Sequence, residues 1–249
     1  MTPELPGATE PAPKQMSVIS RLVGVFFDPG KTFEDIAARP TFLVPMILVI
    51  AVTMAVVMCV GQRVGFERTV RQQIEASPRA AQMSADQKEQ AIQFWGRMAP
   101  VFGGAAAIIG TPIIFLIVAG IAYGMVRGIM SVPITFKQAF AAVAWGWMPH
   151  VLGALLTIVV IFLKDPEQYQ VNNPLFFNPG AFMEENSNKF LRSVASSLDL
   201  IVIWAIVLIA FGLKAAGGKK LSMGGALTAV ILPWAVYVLG KSALAGLGG

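Results

Sequence analysis

The sequence predicts an all-α integral membrane protein: a bundle of five transmembrane helices with an amphipathic helical hairpin at its surface. Of the 249 residues, 55% are hydrophobic and only 13% are charged, whereas soluble domains carry about 25% charged residues. Five apolar runs approach or exceed the roughly 20 residues that a helix needs to cross a hydrocarbon core ~30 Å thick. The predicted spans are residues 42–61, 101–126, 140–163, 193–213 and 221–239.

The residues before the first span divide into a tail and an interfacial segment. Residues 1–15 hold four prolines and no apolar run, which predicts a disordered Pro-rich tail. Residues 16–40 form an amphipathic segment that we expect at the membrane interface, with a turn followed by a short helix. Everything after it, residues 41–247, is assigned to the five-span domain. The interfacial motif consists of Phe27, Asp28, Pro29, Phe33 and Pro40.

Between the first two spans, residues 62–99 predict the helical hairpin. Phe66, Val70 and Ile74 recur every four residues, which places them on one face of a helix. A capping-box signature at Ser84 starts the second helix. The hairpin is either a solvated cap on the bundle or a surface that binds a partner.

Three glycines near the end of the second span share one helix face. Gly120, Gly124 and Gly128 follow one another at four-residue spacing, which allows a neighbouring backbone to approach closely. The glycines therefore predict helix packing, either within the chain or between two copies in a homo-oligomer.

Two polar side chains stand out within the predicted spans. Asp199 is the single acid in the fourth span, and His150 is the only histidine in the chain. At 1.5 Å per helical residue, each lies ~20 Å from the basic residue at the far end of its span, so the two could share a depth and relay protons. The alternative is structural: Asp199 binds backbone at a helix start near the interface, and His150 bonds across helices.

Other kinds of function lack a signature in the sequence. There are no paired histidines, no Gly-rich phosphate loop opening a helix and no Gly-x-Ser-x-Gly elbow, so we expect neither catalysis nor a cofactor or metal. Cys59 is the single cysteine, which rules out an intrachain disulfide. The net charge of +5 is spread beside the apolar runs, as orienting charges are, so nucleic acid is not an expected partner.

The short loops predict the orientation of the chain. Residues 127–137 hold two basic residues and no acid, and residues 214–220 hold three basic residues and no acid. Because basic loops stay in the cytoplasm, the amino terminus should be cytoplasmic and the carboxyl terminus outside. Six basic residues in the hairpin would then lie outside, against this rule.

Several stretches, in their order around the five spans, resemble the bacterial branch of the Yip-one (Ypt/Rab-interacting protein) membrane family. They are residues 26–40, residues 135–139, Asn178-Pro179, and residues 197–200 with Trp204 and Gly212. The resemblance implies a five-span helical bundle with a cytoplasmic amino terminus. Eukaryotic relatives are associated with Rab GTPases and vesicle traffic, and they carry an Asp-Leu-Tyr-Gly-Pro signature. This sequence lacks that signature, so a Rab-type GTPase is not an expected partner.

Two functional hypotheses follow. The first is a non-catalytic scaffold or accessory subunit of a membrane complex, for example an export complex, in a bacterial inner membrane; its partners would be the lipid bilayer and another membrane protein. The second is a small proton-coupled transporter or channel that uses Asp199 and His150. Trp204, in the same span as Asp199, completes the set of candidate polar residues.

Overall fold

The computed structural model of the protein describes residues 15–77, 80, 82–171, 173–184 and 187–247. Within these ranges the chain is helical and contains no strand. Five of its helices are long and apolar enough to cross a membrane, which confirms the predicted fold class. The predicted disordered tail lies outside the described residues except for Gln15.

The described part of the chain forms eleven α-helices. They are α1 (Val18–Phe27), α2 (Pro29–Ala38), α3 (Leu43–Cys59), α4 (Phe66–Glu75), α5 (Ala85–Ala105), α6 (Thr111–Tyr123), α7 (Phe136–Gly146), α8 (Met148–Leu163), α9 (Lys189–Ser197), α10 (Leu200–Gly217) and α11 (Met223–Leu247). Three π-helical turns, Val60–Val64, Ala106–Gly110 and Gly124–Ile129, extend α3, α5 and α6.

The second span is longer than the sequence predicted. Instead of a hairpin helix followed by a separate span at 101–126, one continuous helix runs through Ala85–Ile129, 45 residues long. The boundary was missed because the π-helical turn Ala106–Gly110 joins α5 to α6 without a break. The predicted capping box at Ser84 is confirmed, since its hydroxyl accepts from the Gln87 N–H and its own N–H donates to the Gln87 side chain.

The fourth span starts later than predicted. The sequence placed it at 193–213 with Asp199 inside, but Lys189–Ser197 forms the separate helix α9 and the span begins at Leu200. Asp199 is the residue that caps the new helix, because its carboxylate accepts backbone N–H groups of the first turn. The acid therefore interrupts no membrane helix.

The third span is interrupted once. It runs from Phe136 to Leu163, but α7 ends at Gly146 and α8 begins at Met148. Pro149 lacks the N–H that an uninterrupted helix would donate there, and the His150 N–H bonds instead to the Trp147 carbonyl at 3.0 Å. The first and fifth spans were predicted at 42–61 and 221–239; the corresponding helices cover Leu43–Val64 and Met223–Leu247.

The centre of the bundle is the contact between α7 and α10. A Cβ built on Gly146 would lie 2.8 Å from the Ile209 nitrogen, and one built on Gly212 would lie 2.9 Å from the Ala142 Cα. Only glycine permits this approach, since real Cβ atoms essentially never come so close. These two glycines, rather than the predicted stripe on the second span, bring transmembrane backbones together.

The loops and short helices gather at two ends, named here for the rest of the text. The amino end holds α1, α2 and the loops that precede α7 and α11. Here a Cβ built on Gly217 would lie 3.2 Å from the Val132 Cγ1, and the Gln138 side chain donates to the Ala37 carbonyl. The opposite end, the cavity end, holds the α4–α5 hairpin, the described residues of 164–199 and the last turns of α11.

Helices α1 and α2 close the amino end. Phe33 is fully buried, between α2 and the Gly212 region of α10, whereas Phe27 is 83% exposed. The buried Arg21 forms an ion pair with Asp35 at 2.7 Å and donates to the Thr41 hydroxyl at 2.7 Å. The predicted interfacial segment is thus a helical pair that is anchored to the span ends by one face.

Candidate functional site

A polar cavity of about 280 Å³ lies at the cavity end, between α8, the start of α10 and the loop that precedes α9. It brings together the two polar residues that the sequence singled out, His150 and Asp199. The sequence alone could not establish that they are neighbours. The lining is completed by Gly153, Ala154, Asn173, Pro174, Leu175, Asn178, Ser196 and Ile201.

Asp199 is positioned by its own capping role. Its Oδ1 accepts from the Ile201 N–H at 2.8 Å and from the Val202 N–H at 3.4 Å. Both bonds use the same oxygen, so Oδ2 makes no hydrogen bond to the described residues. The carboxylate is therefore fixed in direction and keeps acceptor capacity.

Two asparagines hold the loop that forms one wall. The Asn178 amide donates to the Asn173 side-chain oxygen at 2.9 Å, and Asn178 also accepts the Ala181 N–H at 3.1 Å. The loop lies against α9 at Gly180, where a Cβ would come within 2.6 Å of the Ser196 nitrogen. The Leu200 N–H donates to the Phe177 carbonyl, which joins this loop to α10.

His150 faces the cavity from the first turn of α8. Its ring stacks on Trp147 with centroids 4.7 Å apart and planes 18° from parallel. Its Nδ1 is buried and has no hydrogen-bond partner among the described residues. His150 also lines a second cavity of about 240 Å³ between α3, α6 and α8, so this side chain borders both cavities.

The remaining candidates lie elsewhere. The Trp204 ring contacts Phe26 of α1 edge to face, with centroids 5.4 Å apart, and it does not line the cavity. In the interfacial motif, Asp28 caps α2, Pro29 is the first residue of that helix, and Pro40 follows its end.

The glycine stripe of the second span packs against none of the residues that the structure describes. No described atom lies within 4 Å of a Cβ built on Gly120, Gly124 or Gly128, and all three are exposed. Packing within the chain is therefore not their role. The face remains open to lipid or to a second copy.

The hairpin carries an exposed aromatic face on α5. Sequence reasoning did not single out this surface. Trp95 is 48% exposed, and its ring lies 5.2 Å from Phe94 and 5.6 Å from Phe102. Val101, the neighbour of Phe102 in the chain, is also exposed. We call these four residues the α5 aromatic face.

Sequence reasoning also missed the polar cluster at the amino end. Trp145 donates its indole N–H to the Thr41 carbonyl at 2.7 Å, and Thr41 in turn binds Arg21. One signal was available, because an arginine within an apolar helical run needs a buried acid as partner. Asp35 fills that role.

Comparison with known proteins agrees with this architecture. The model of the Yip1 domain family matches residues 23–244. The chain is also 28% identical over 214 residues to the membrane protein YknW of Bacillus subtilis (strain 168). The aligned region covers 85% of this chain and 84% of that protein. No solved structure matches the chain.

Proposed function

The chain belongs to the Yip1 domain family, and from that premise we propose that it is a non-catalytic scaffold or accessory subunit of a membrane-protein complex. The observation that carries the proposal is the uncovered α5 aromatic face. The helix that bears it extends beyond the apolar segment at 101–126: residues 85–100, which include Phe94 and Trp95, would project ~24 Å at 1.5 Å per residue. Val101 and Phe102 lie at the base of this projection. An exposed aromatic cluster on a projecting helix is a surface suited to binding another protein.

The hairpin that presents this face is held in a defined position. Arg71 pairs with Glu89 across the hairpin at 3.0 Å, and the Gln72 side chain donates to the Tyr169 carbonyl at 3.2 Å. Arg68 and Glu167 add an exposed ion pair at 3.4 Å. A partner would therefore meet an ordered surface and would not have to order a loop.

Site-specific photocrosslinking in intact cells tests the docking function. A photoreactive phenylalanine analogue replaces Trp95 in one variant and Phe162 in the control, which lies on α8 near the cavity end and is 53% exposed. We expect a discrete protein adduct from position 95 and none from position 162. Lipid adducts alone at both positions would overturn the proposal, and an adduct of twice the chain mass would identify a second copy as the partner.

We also propose an inner-membrane location with the amino end in the cytoplasm. The two basic loops lie together at that end, which supports the orientation. The six basic residues of the hairpin count against it. A cysteine at Lys219 should be shielded from an impermeant thiol reagent and one at Glu184 labelled, with Cys59 removed; the reverse pattern would invert the topology.

The cavity favours a second candidate, proton-coupled transport, because His150 borders two cavities and shares one of them with Asp199. Reconstituted vesicles should then show pH-driven flux that the Asp199→Asn variant lacks. Flux that is absent, or equal in both proteins, would remove this candidate and leave the docking function untouched.

A further inference from the structure

We propose that the polar cavity binds a primary ammonium group, carried either by the ethanolamine headgroup of a membrane lipid or by a small free amine. The proposal depends neither on docking at the α5 aromatic face nor on transport. It rests on the charge, the hydrogen-bonding groups and the depth of the cavity.

The charge of the lining selects a cation. Asp199 is its one carboxylate, and no lysine or arginine lines it within the described ranges. Helix α9 ends at Ser197, beside the lining residue Ser196, so its carbonyl end adds partial negative charge. The partial positive charge at the amino end of α10 is offset by the carboxylate of Asp199, which caps that helix. Lys241 binds the α9 end through the Ser197 hydroxyl at 2.8 Å but does not line the cavity.

The hydrogen-bonding groups select a primary ammonium over a quaternary one. An –NH₃⁺ group has three donors to place. The cavity offers Asp199, which has a spare carboxylate oxygen, and the Ser196 hydroxyl, which makes no hydrogen bond to the described residues. The Asn173 side-chain oxygen accepts one bond from Asn178 and has a further lone pair. A quaternary ammonium donates nothing and favours aromatic walls, whereas His150 is the only aromatic side chain among the described residues that line the cavity.

The position of the cavity along the membrane normal suits a lipid headgroup. Helix α10 has 18 residues between Asp199 and the loop at the amino end, or ~27 Å of rise. Because this is close to the thickness of the hydrocarbon core, Asp199 lies at the level where headgroups begin. Gly153, Ala154 and Ile201 supply an apolar floor.

The test compares how strongly the full chain in nanodiscs binds ethanolamine and choline, each as a lipid headgroup and as a free molecule. Native mass spectrometry would measure retention of phosphatidylethanolamine against phosphatidylcholine; thermal unfolding in phosphatidylcholine nanodiscs with added ethanolamine or choline would test the free amine. We expect about tenfold preference for the ethanolamine form, the size of one charge-assisted hydrogen bond. A preference seen only with the lipid identifies a headgroup site, and one seen only with free ethanolamine identifies a soluble ligand.

Three variants separate the site from its surroundings. Asp199→Asn keeps the helix cap and removes the charge, so the preference should be lost. Ala154→Leu fills the cavity and leaves its polar groups in place, so it should weaken retention even if the first variant folds poorly. Glu184→Gln removes an exposed acid at the same end outside the lining and should change nothing. The proposal would be overturned if the unmodified protein showed no preference for the ethanolamine form either as lipid or as free amine, or if a preference survived in folded Asp199→Asn.

Discussion

The two ends of the bundle use buried polar groups in opposite ways. At the amino end, Arg21 donates to the Asp35 carboxylate, to the Thr41 hydroxyl and to two backbone carbonyls. At the cavity end, the His150 Nδ1 is buried without a partner in the described chain, and Asp199 bonds through one oxygen only. Buried polar groups that the protein itself satisfies add rigidity, whereas groups left open can bind a ligand.

The same contrast appears in how the loops pack. The amino-end helices bury Val25, Phe33 and Ile36 against the spans. The wall of the cavity is a loop held by the asparagine pair and by close contact at Gly180. We therefore expect substitutions at the amino end to reduce stability strongly, and substitutions of cavity residues to change binding more than folding.

The largest effect is expected at Arg21. Arg21→Met should lower the free energy of unfolding by about 3–5 kcal/mol, because it leaves the Asp35 carboxylate, 16% exposed, without its partner. The control is Lys31→Met, which breaks an ion pair between exposed side chains at 3.4 Å and should cost about 0–1 kcal/mol. Denaturant unfolding in detergent micelles measures both changes.

A double variant sharpens this prediction. Arg21→Met with Asp35→Leu removes both charges, so it should recover part of the loss, since no buried charge is left unpaired. Equal destabilisation by Arg21→Met and Lys31→Met would mean that water reaches the Arg21–Asp35 pair as readily as it reaches the exposed pair of Lys31.

The next effect concerns the two phenylalanines of the interfacial motif. Phe33→Ala should cost about 3 kcal/mol, because the ring is fully buried and its removal leaves a cavity. Phe27→Ala should lie within about 0.5 kcal/mol of the unmodified protein, since the side chain is 83% exposed. A comparable loss of thermal stability from both would show that the membrane interface, rather than α10, holds this segment.

The sequence predicted the spans well because a bilayer imposes a length and a composition that can be counted. Where the prediction missed a boundary, the local signal was backbone geometry: Ala106–Gly110 continues a helix through a π-helical turn, and Asp199 starts one. In the sequence, an aspartate that caps a helix looks the same as an acid within a membrane span when apolar residues flank it on both sides. Only the break at Ser197 and Leu198 distinguishes the two.

The candidate site could be predicted only in part. His150 and Asp199 were conspicuous by residue type, and their shared depth followed from counting helical residues. Asn173 and Ser196 were not conspicuous, because polar residues in a loop and a short helix are common, and their role depends on how the loop folds back on α9. Gly120 and Gly146 reveal a similar limit: spacing identifies a small-residue stripe, but tertiary packing decides which glycine meets a backbone.

The smallest stability effect, and the one that best separates the two ends, is expected at Asp199. Asparagine caps helices about as well as aspartate, so Asp199→Asn should change the free energy of unfolding by no more than about 0.5 kcal/mol. Asp199→Ala should cost about 1 kcal/mol, because the bonds to the Ile201 and Val202 N–H groups are lost. Thermal unfolding in nanodiscs can rank the three proteins. A loss above about 3 kcal/mol in Asp199→Asn would place the carboxylate in a buried ion pair like that of Arg21, and the contrast between a satisfied amino end and an open cavity end would fail.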